Sequence, residues 1–320
     1  MNRTSLAIAA AVWTPWLAGM TVTDSWGLFG EVGFMSAVMG IGSFIAGATS
    51  EGGGAVAFPA MTLGFGIAPS TARDFSLMIQ AVGMTAASVA IFSARIPVAV
   101  KALIPAIAGG ALGVVLGLEY IAPNLPPAFA KMTFASVWLA FAGALYLMNR
   151  DHDRAVNLSL DNAPGWAFPV LALGGVAGGV VTSITGSGLD ILTFALLVLL
   201  FRVSEKVATP TSVVLMASNA AVGALWKGTL GAGLAPDAWD YWWVCVPVVV
   251  IGAPMGARFI ANKSRAFIVG LLSVSIAVQF IAAIFIIPQT PTLLLYSAAV
   301  FLMGLAGFWA ISRQGRAAIA

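Results

Sequence analysis

The sequence predicts an all-α polytopic membrane protein: an inverted-topology repeat with two broken-helix, re-entrant-type hairpins and about eight full spans. Three observations predict it. Hydrophobic residues make up 60% of the chain and charged residues 8%, with a mean hydropathy of +0.98, where an average soluble domain is about 25% charged. About ten apolar runs approach the ~20-residue length needed to cross a bilayer. Two glycine-rich breaks, Thr49-Ser50-Glu51-Gly52-Gly53-Gly54 and Thr185-Gly186-Ser187-Gly188, interrupt apolar runs at corresponding places in the two halves of the chain, and each carries an acid, Glu51 or Asp190. Paired interruptions of this kind mark the binding site of a transporter.

The elements follow in order. Residues 5–22 read as a first spanning helix, because Trp13, Pro15 and Trp16 lie within the apolar stretch and no small-residue cleavage site follows it. After an acidic loop with Asp24 and Glu31, a run at 30–49 stops at the first break. A shorter run at 55–66 ends near Pro69, and spans are expected at 75–93, 100–119 and 128–148. The polar stretch from Asn149 to Gly165, with Arg150, Asp151, His152, Asp153, Arg154 and Asp161, divides the halves. The second half opens with 166–184, breaks, continues as 189–201, and closes with spans at 210–227, 239–258, 266–287 and 292–311. The expected organisation is an extra helix (1–28), a first repeat (29–150), a cytoplasmic loop (151–165), a second repeat (166–288) and a further helix (289–320).

Charge placement orients the chain. A hairpin leaves the parity of later spans unchanged, so Arg3 shares a face with Arg95, Lys101, Arg150, Arg154, Arg202, Lys206, Arg258, Lys263, Arg265, Arg313 and Arg316. The positive-inside rule places that face, with both termini, in the cytoplasm of a cell whose plasma (inner) membrane the protein crosses. Three spans separate the hairpins, so they enter from opposite faces. Glycines four apart (Gly109, Gly113 and Gly117; Gly174 and Gly178; Gly252 and Gly256) let helix backbones approach closely. The net charge of +3 comes from scattered single residues and indicates no nucleic-acid partner. One cysteine, Cys245, and one histidine, His152, make neither a disulfide framework nor a Cys/His metal site, and no cofactor is called for.

The breaks carry the chemistry. Gly52, Gly53 and Gly54, and Gly186, Ser187 and Gly188, would free amides at the start of short helices, whose N-termini suit an anion; the same glycines could equally make plain tight turns. After each break a polar pattern begins the next span. Ala72, Arg73, Asp74, Ser76 and Gln80 in the first half are echoed by Ala208, Thr211, Ser212 and Asn219 in the second. With Ser50 these are candidate ligand contacts, although Arg73 could instead serve Asp74, and Gln80 and Asn219 could bond between helices. Glu51, Asp190 and Asp74 are candidates for proton coupling: acids at membrane depth are costly, and desolvation favours the neutral carboxyl. Each could alternatively pair with a base or cap a short helix.

With its glycine break and following Pro59, its Ala72 to Gln80 stretch and the weaker repeat at 185–219, the chain resembles the sulfite exporter TauE/SafE family, also called TSUP, from about residue 30 onward. The resemblance implies a carrier of small sulfur-containing anions, such as sulfite, thiosulfate or sulfoacetate, used for export. Thr193 is expected to fall where the first repeat has Pro59. An anion channel is the alternative, disfavoured by the bulky Phe58, Phe75 and Phe194 beside the breaks. An intramembrane hydrolase lacks a histidine near Ser187 and the adjacent Gly-Asp of the aspartyl kind. The chain is therefore not expected to be an enzyme; its partners are the anion and the bilayer.

Overall fold

A chain this apolar has to close its backbone hydrogen bonds within each segment, and a helix does so without a neighbour. The computed structural model describes residues 3–149, 156–160 and 163–317, and its architecture is helical throughout, apart from a single bridge between Asn157 and Val203 among the described residues. In the first half α1 (Arg3–Val22) precedes α2 (Phe34–Ala48), α3 (Gly54–Gly64), α4 (Pro69–Ser93), α5 (Val100–Leu116) and α6 (Pro127–Asn149). In the second come α7 (Ala167–Thr185), α8 (Leu189–Leu200), α9 (Glu205–Thr229), α10 (Pro236–Ala261), α11 (Arg265–Ile286) and α12 (Pro291–Ala317). Prolines open α4, α6, α10 and α12, where the missing N–H has no partner to lose. Ser264 caps α11 by accepting from the Phe267 amide at 3.2 Å.

Eight helices of the described residues are long and apolar enough to cross a membrane. The number agrees with expectation, but the membership differs. α7, expected as the first leg of a hairpin, has 19 residues and qualifies by itself, whereas its counterpart α2 has 15. α1 qualifies only together with the short helical piece after it, to which it is bent by 108°. The first half therefore spends Ser25 to Glu31 on a turn along its end, shortening α2. Arg150, Asp151, His152, Asp153, Arg154 and Asp161, assigned above to a loop, lie outside the described residues.

The halves repeat at a spacing of 136 residues. Pro69 and Ser93 bound α4 where Glu205 and Thr229 bound α9, and Val100 starts α5 where Pro236 starts α10. The backbone bonds repeat with them. Ala60–Gly64 and Leu196–Leu200 are five-residue π-helical stretches, closed by Phe65 N–H to Ala60 O and Ile67 N–H to Met61 O, and by Phe201 N–H to Leu196 O and Val203 N–H to Leu197 O. This register corrects the sequence alignment: Ala195, not Thr193, lies opposite Pro59. It also makes Glu51 the counterpart of Ser187, and Gly54 the counterpart of Asp190. The glycines of the breaks look interchangeable in sequence, but the threonines before them fix the register. Thr49 Oγ1 accepts from Glu51 N–H, and Thr185 Oγ1 accepts from Ser187 N–H.

The halves interlock rather than lie side by side. α2 packs on α10, and α7 packs on α5, so the first leg of each hairpin rests on the second span of the other half. Both contacts are backbone to backbone. A methyl added at Gly47 or Gly256 would strike the carbonyl of Ala253 or Phe44; at Gly109 or Gly113 it would strike that of Ala172 or Val176. Gly174 and Gly178 instead face Leu196 and Leu189 of their own hairpin. α4 and α9 cross at the centre, and α11 leans on α6.

α1 is fastened to α10 through a proline. Pro247 has no N–H, which frees the carbonyl four residues earlier, that of Trp243, and Trp16 Nε1 donates to it at 2.7 Å. Trp13 Nε1 donates to Pro247 O at 3.2 Å. Trp16→Phe leaves the Trp243 carbonyl without a donor, at a cost of roughly 1–3 kcal/mol. The expected result is a lower Tm in a given detergent, while Trp309→Phe at an exposed position leaves Tm unchanged.

Candidate functional site

The two breaks meet. α7 ends at Gly186 (φ 80) in the left-handed conformation that stops a helix, and in the first break the left-handed residue is Gly52 (φ 70), two positions later in the register of the repeat. Ser187 Oγ lies 2.7 Å from the backbone carbonyl oxygen of Glu51 and 2.7 Å from Asp190 Oδ2. Glu51 and Ser187 are equivalent positions of the repeat, so this contact falls where the halves face one another. Gln80 Nε2 donates across the junction to Gly186 O at 2.6 Å and to Ser76 O at 2.9 Å.

Gly52 sits inside this cluster. A Cβ there would collide with Asp190 Oδ2, and would lie 2.7 Å from Gln80 Oε1 and 2.9 Å from Ser187 Oγ. At Gly54 it would lie 2.8 Å from both Gln80 Nε2 and Gly186 O; at Gly186 it would run into Ser76 Cβ. Glu51, Ser187, Ser76 and Asp190 are all at most 1% exposed.

The breaks differ in how their amides are used. In the second, Thr182 Oγ1 accepts from Leu189 N–H at 3.0 Å, and Asp190 Oδ1 accepts from Gly188 and Ile191 N–H at 2.8 and 2.9 Å. The carboxyl of Asp190 thus closes the start of its own helix. In the first, hydrogen bonds engage Glu51, Val56 and Ala57 N–H and pass over Gly52 to Ala55. Nearby, Ser50 Oγ, Glu51 Oε1 and Gln80 Oε1 are buried without a hydrogen-bond partner. Buried polar groups are rarely left so; of these, Gln80 Oε1 borders the space at Gly52.

The other candidates have different surroundings. Asp74 is fully buried and accepts from Arg73 Nε at 2.9 Å, Lys227 Nζ at 2.6 Å and Ala235 N–H at 2.9 Å. The Arg73 guanidinium therefore serves Asp74, although its backbone carbonyl approaches Gly186. Thr211 Oγ1 donates to Val207 O and accepts from Ala99 N–H at 2.9 Å, and Ser212 Oγ donates to Thr209 O at 2.8 Å. Both hydroxyls are committed to backbone. Asn219 is 2% exposed with neither amide atom bonded, and it faces Gly110 behind the second break. Gly188 is turned towards Val181 and Thr182 of α7.

Two residues absent from the sequence reading reach the cluster. Ser275 Oγ on α11 donates to Glu51 Oε2 at 2.7 Å, and Gln279 Nε2 donates to Ser275 Oγ at 2.9 Å. Their signal was a polar pair four apart in an otherwise apolar helix, which puts both on one face. Met216, the counterpart of Gln80, brings its sulfur to 3.9 Å from Ser187 Oγ.

A family model described as sulfite exporter TauE/SafE matches residues 34–282, from the first residue of α2 into α11, and so takes in both breaks and the helices that hold them. The chain belongs to the sulfite exporter TauE/SafE family. No curated protein and no solved structure gives a match. Like its family, this TauE/SafE protein is a multi-pass membrane protein, and membership implies a membrane transporter of sulfite or related sulfur anions.

The tight junction gives a direct test. Gly52→Ala combines a left-handed φ, which alone costs on the order of 1–3 kcal/mol for a side chain, with a clash against Asp190. Transport activity is expected to fall at least about tenfold. Gly66→Ala, at a similar φ of 68 but in open space, is expected to retain it when both are assayed in the same vesicles.

Proposed function

We propose that this protein is an alternating-access carrier that exports small sulfur-containing oxyanions, such as sulfite, thiosulfate or organosulfonates, across the plasma membrane, with both termini in the cytoplasm. The observation that supports it is the contact of Ser187 with Glu51, which brings one break from each half to a single buried place. Repeats of opposite orientation meeting at such a place are the architecture of alternating access. The amides of Gly52 to Ala55 and the hydroxyl of Ser50 then provide hydrogen-bond donors to the anion's oxygens at the start of α3. A compact oxyanion suits that donor set. Sulfite and the sulfonate group of a larger molecule present the same three-oxygen face.

A carboxylate beside an anion repels it unless it carries a proton; Asp190 is already held by the Gly188 and Ile191 amides, so Glu51 is the group that links anion binding to proton uptake. The Arg73 and Lys227 side chains are both turned to Asp74. In this reading Glu51 carries the proton that accompanies the anion, while Asp190 maintains the second break. Phe58, Phe75 and Phe194, each fully buried, keep the site closed around its ligand rather than open as a pore.

The test is uptake into proteoliposomes of sulfite, thiosulfate, sulfoacetate, taurine, sulfate and acetate, with and without a pH gradient. Saturable uptake of a sulfur oxyanion is expected, faster when the compartment that loads the carrier is acidified, since protonation of Glu51 precedes binding. Glu51→Gln is expected to remove the pH dependence. A conductance that does not saturate would point to a channel, and failure to move any sulfur anion would overturn the substrate assignment.

A further inference from the structure

The first break is not enclosed by the hairpins alone. α11 touches the π-helical end of α3 and also contacts α9. Its outer stripe, Val274, Val278, Ile281 and Phe285, is exposed as a lipid-facing surface should be. Ser275 and Gln279 lie beside that stripe, half-buried, and turn inward to the Glu51 carboxyl. A glutamine in so apolar a helix is costly unless its amide is used. Here it is used on the serine that holds Glu51.

The direction of this chain follows from the chemistry of its members. Gln279 Nε2 can only donate, so Ser275 Oγ accepts from it and directs its own proton to Glu51 Oε2. Oε2 is thereby fixed as an acceptor. The other carboxyl oxygen, Oε1, is buried and has no partner. We infer that Ser275 and Gln279 are positioning residues of the anion site, which hold Glu51 Oε2 as an acceptor and leave Oε1 as the atom that takes up a proton and meets the anion. The inference rests on the carrier reading above and extends it: α11 is a third wall of the site, and the geometry names the oxygen at which proton and anion are linked. The amide oxygen of Gln279, Oε1, is also buried and unbonded.

The experiment uses the full-length protein in two measurements. In proteoliposomes with sulfite and thiosulfate, Ser275→Ala is expected to raise the KM about three- to tenfold, the equivalent of one hydrogen bond, with maximal rate and protein yield near wild type. Ser275→Thr, which keeps the hydroxyl, is expected to restore the KM, and Gln279→Leu to reproduce the alanine effect more weakly. In purified protein, the infrared band of the Glu51 carboxyl group is identified by its loss in Glu51→Gln. That band is expected to shift in Ser275→Ala and to return in Ser275→Thr. An unchanged KM together with an unmoved band would overturn the inference, as would an equal effect in the alanine and threonine variants. If the wild-type protein moves neither anion, the carrier reading fails, and the infrared shift alone decides whether Ser275 positions Glu51.

Discussion

A carbonyl buried at membrane depth has no water to turn to, so the protein must supply its donor. The Glu51 carbonyl finds one in Ser187, from the other half of the chain. The surrounding structure depends on that requirement. Two broken helices can persist inside an apolar protein only if each accommodates polar groups of the other, and Gln80 does the same for the carbonyl of Gly186. Gly52 must be a glycine because the hydrogen-bonded groups converge on the space a side chain would fill. Interlocked packing of α2 on α10 and α7 on α5 then carries both breaks to the same place, at separations that only glycine backbones permit.

The halves share a frame but not a chemistry. Asp190 closes the amides of the second break from within, and Gly54, its counterpart, cannot do so. The first break is left with amides and a serine hydroxyl available, and with a carboxyl steered from α11. Where the first half has Gln80, the second has Met216. A duplicated scaffold has thus kept its backbone register while one copy became self-sufficient and the other kept unfilled hydrogen-bonding capacity.

Much of this was legible in the sequence, for identifiable reasons. Span positions follow from the length of apolar runs, and the breaks from glycines and acids where neither suits a membrane helix. Ser187, Glu51, Gln80 and the glycine clusters were legible as polar anomalies, and the structure brings them together. The register within the second break was not, because Gly186-Ser187-Gly188 can be laid on Gly52-Gly53-Gly54 without a gap, and it is the helix bounds, the π-helical bonds and the hydrogen bonds of Thr49 and Thr185 that show otherwise. The side chains of Arg73 and Thr211 looked like ligand contacts because they are polar and stand near the start of a span. The pairing of Arg73 with its neighbour Asp74 was the alternative that adjacency left open, whereas the amide of Ala99, 112 residues from Thr211, is a partner that spacing does not reveal. Ser275 lies 224 residues from the carboxyl it holds, and no local pattern connects them.

The repeat also ties its two ends by unlike means. At one end Ala235, the residue before α10, gives its amide to Asp74, within a cluster that includes Lys227 and Arg73. At the other end the equivalent amide, that of Ala99 before α5, goes to the uncharged hydroxyl of Thr211. Asp74 is fully buried, so dissolved ions screen the charged tie far less than they would a surface pair. Two equivalent helix starts are therefore secured in chemically different ways, one by a carboxylate that also binds two cations and the other by a neutral hydroxyl.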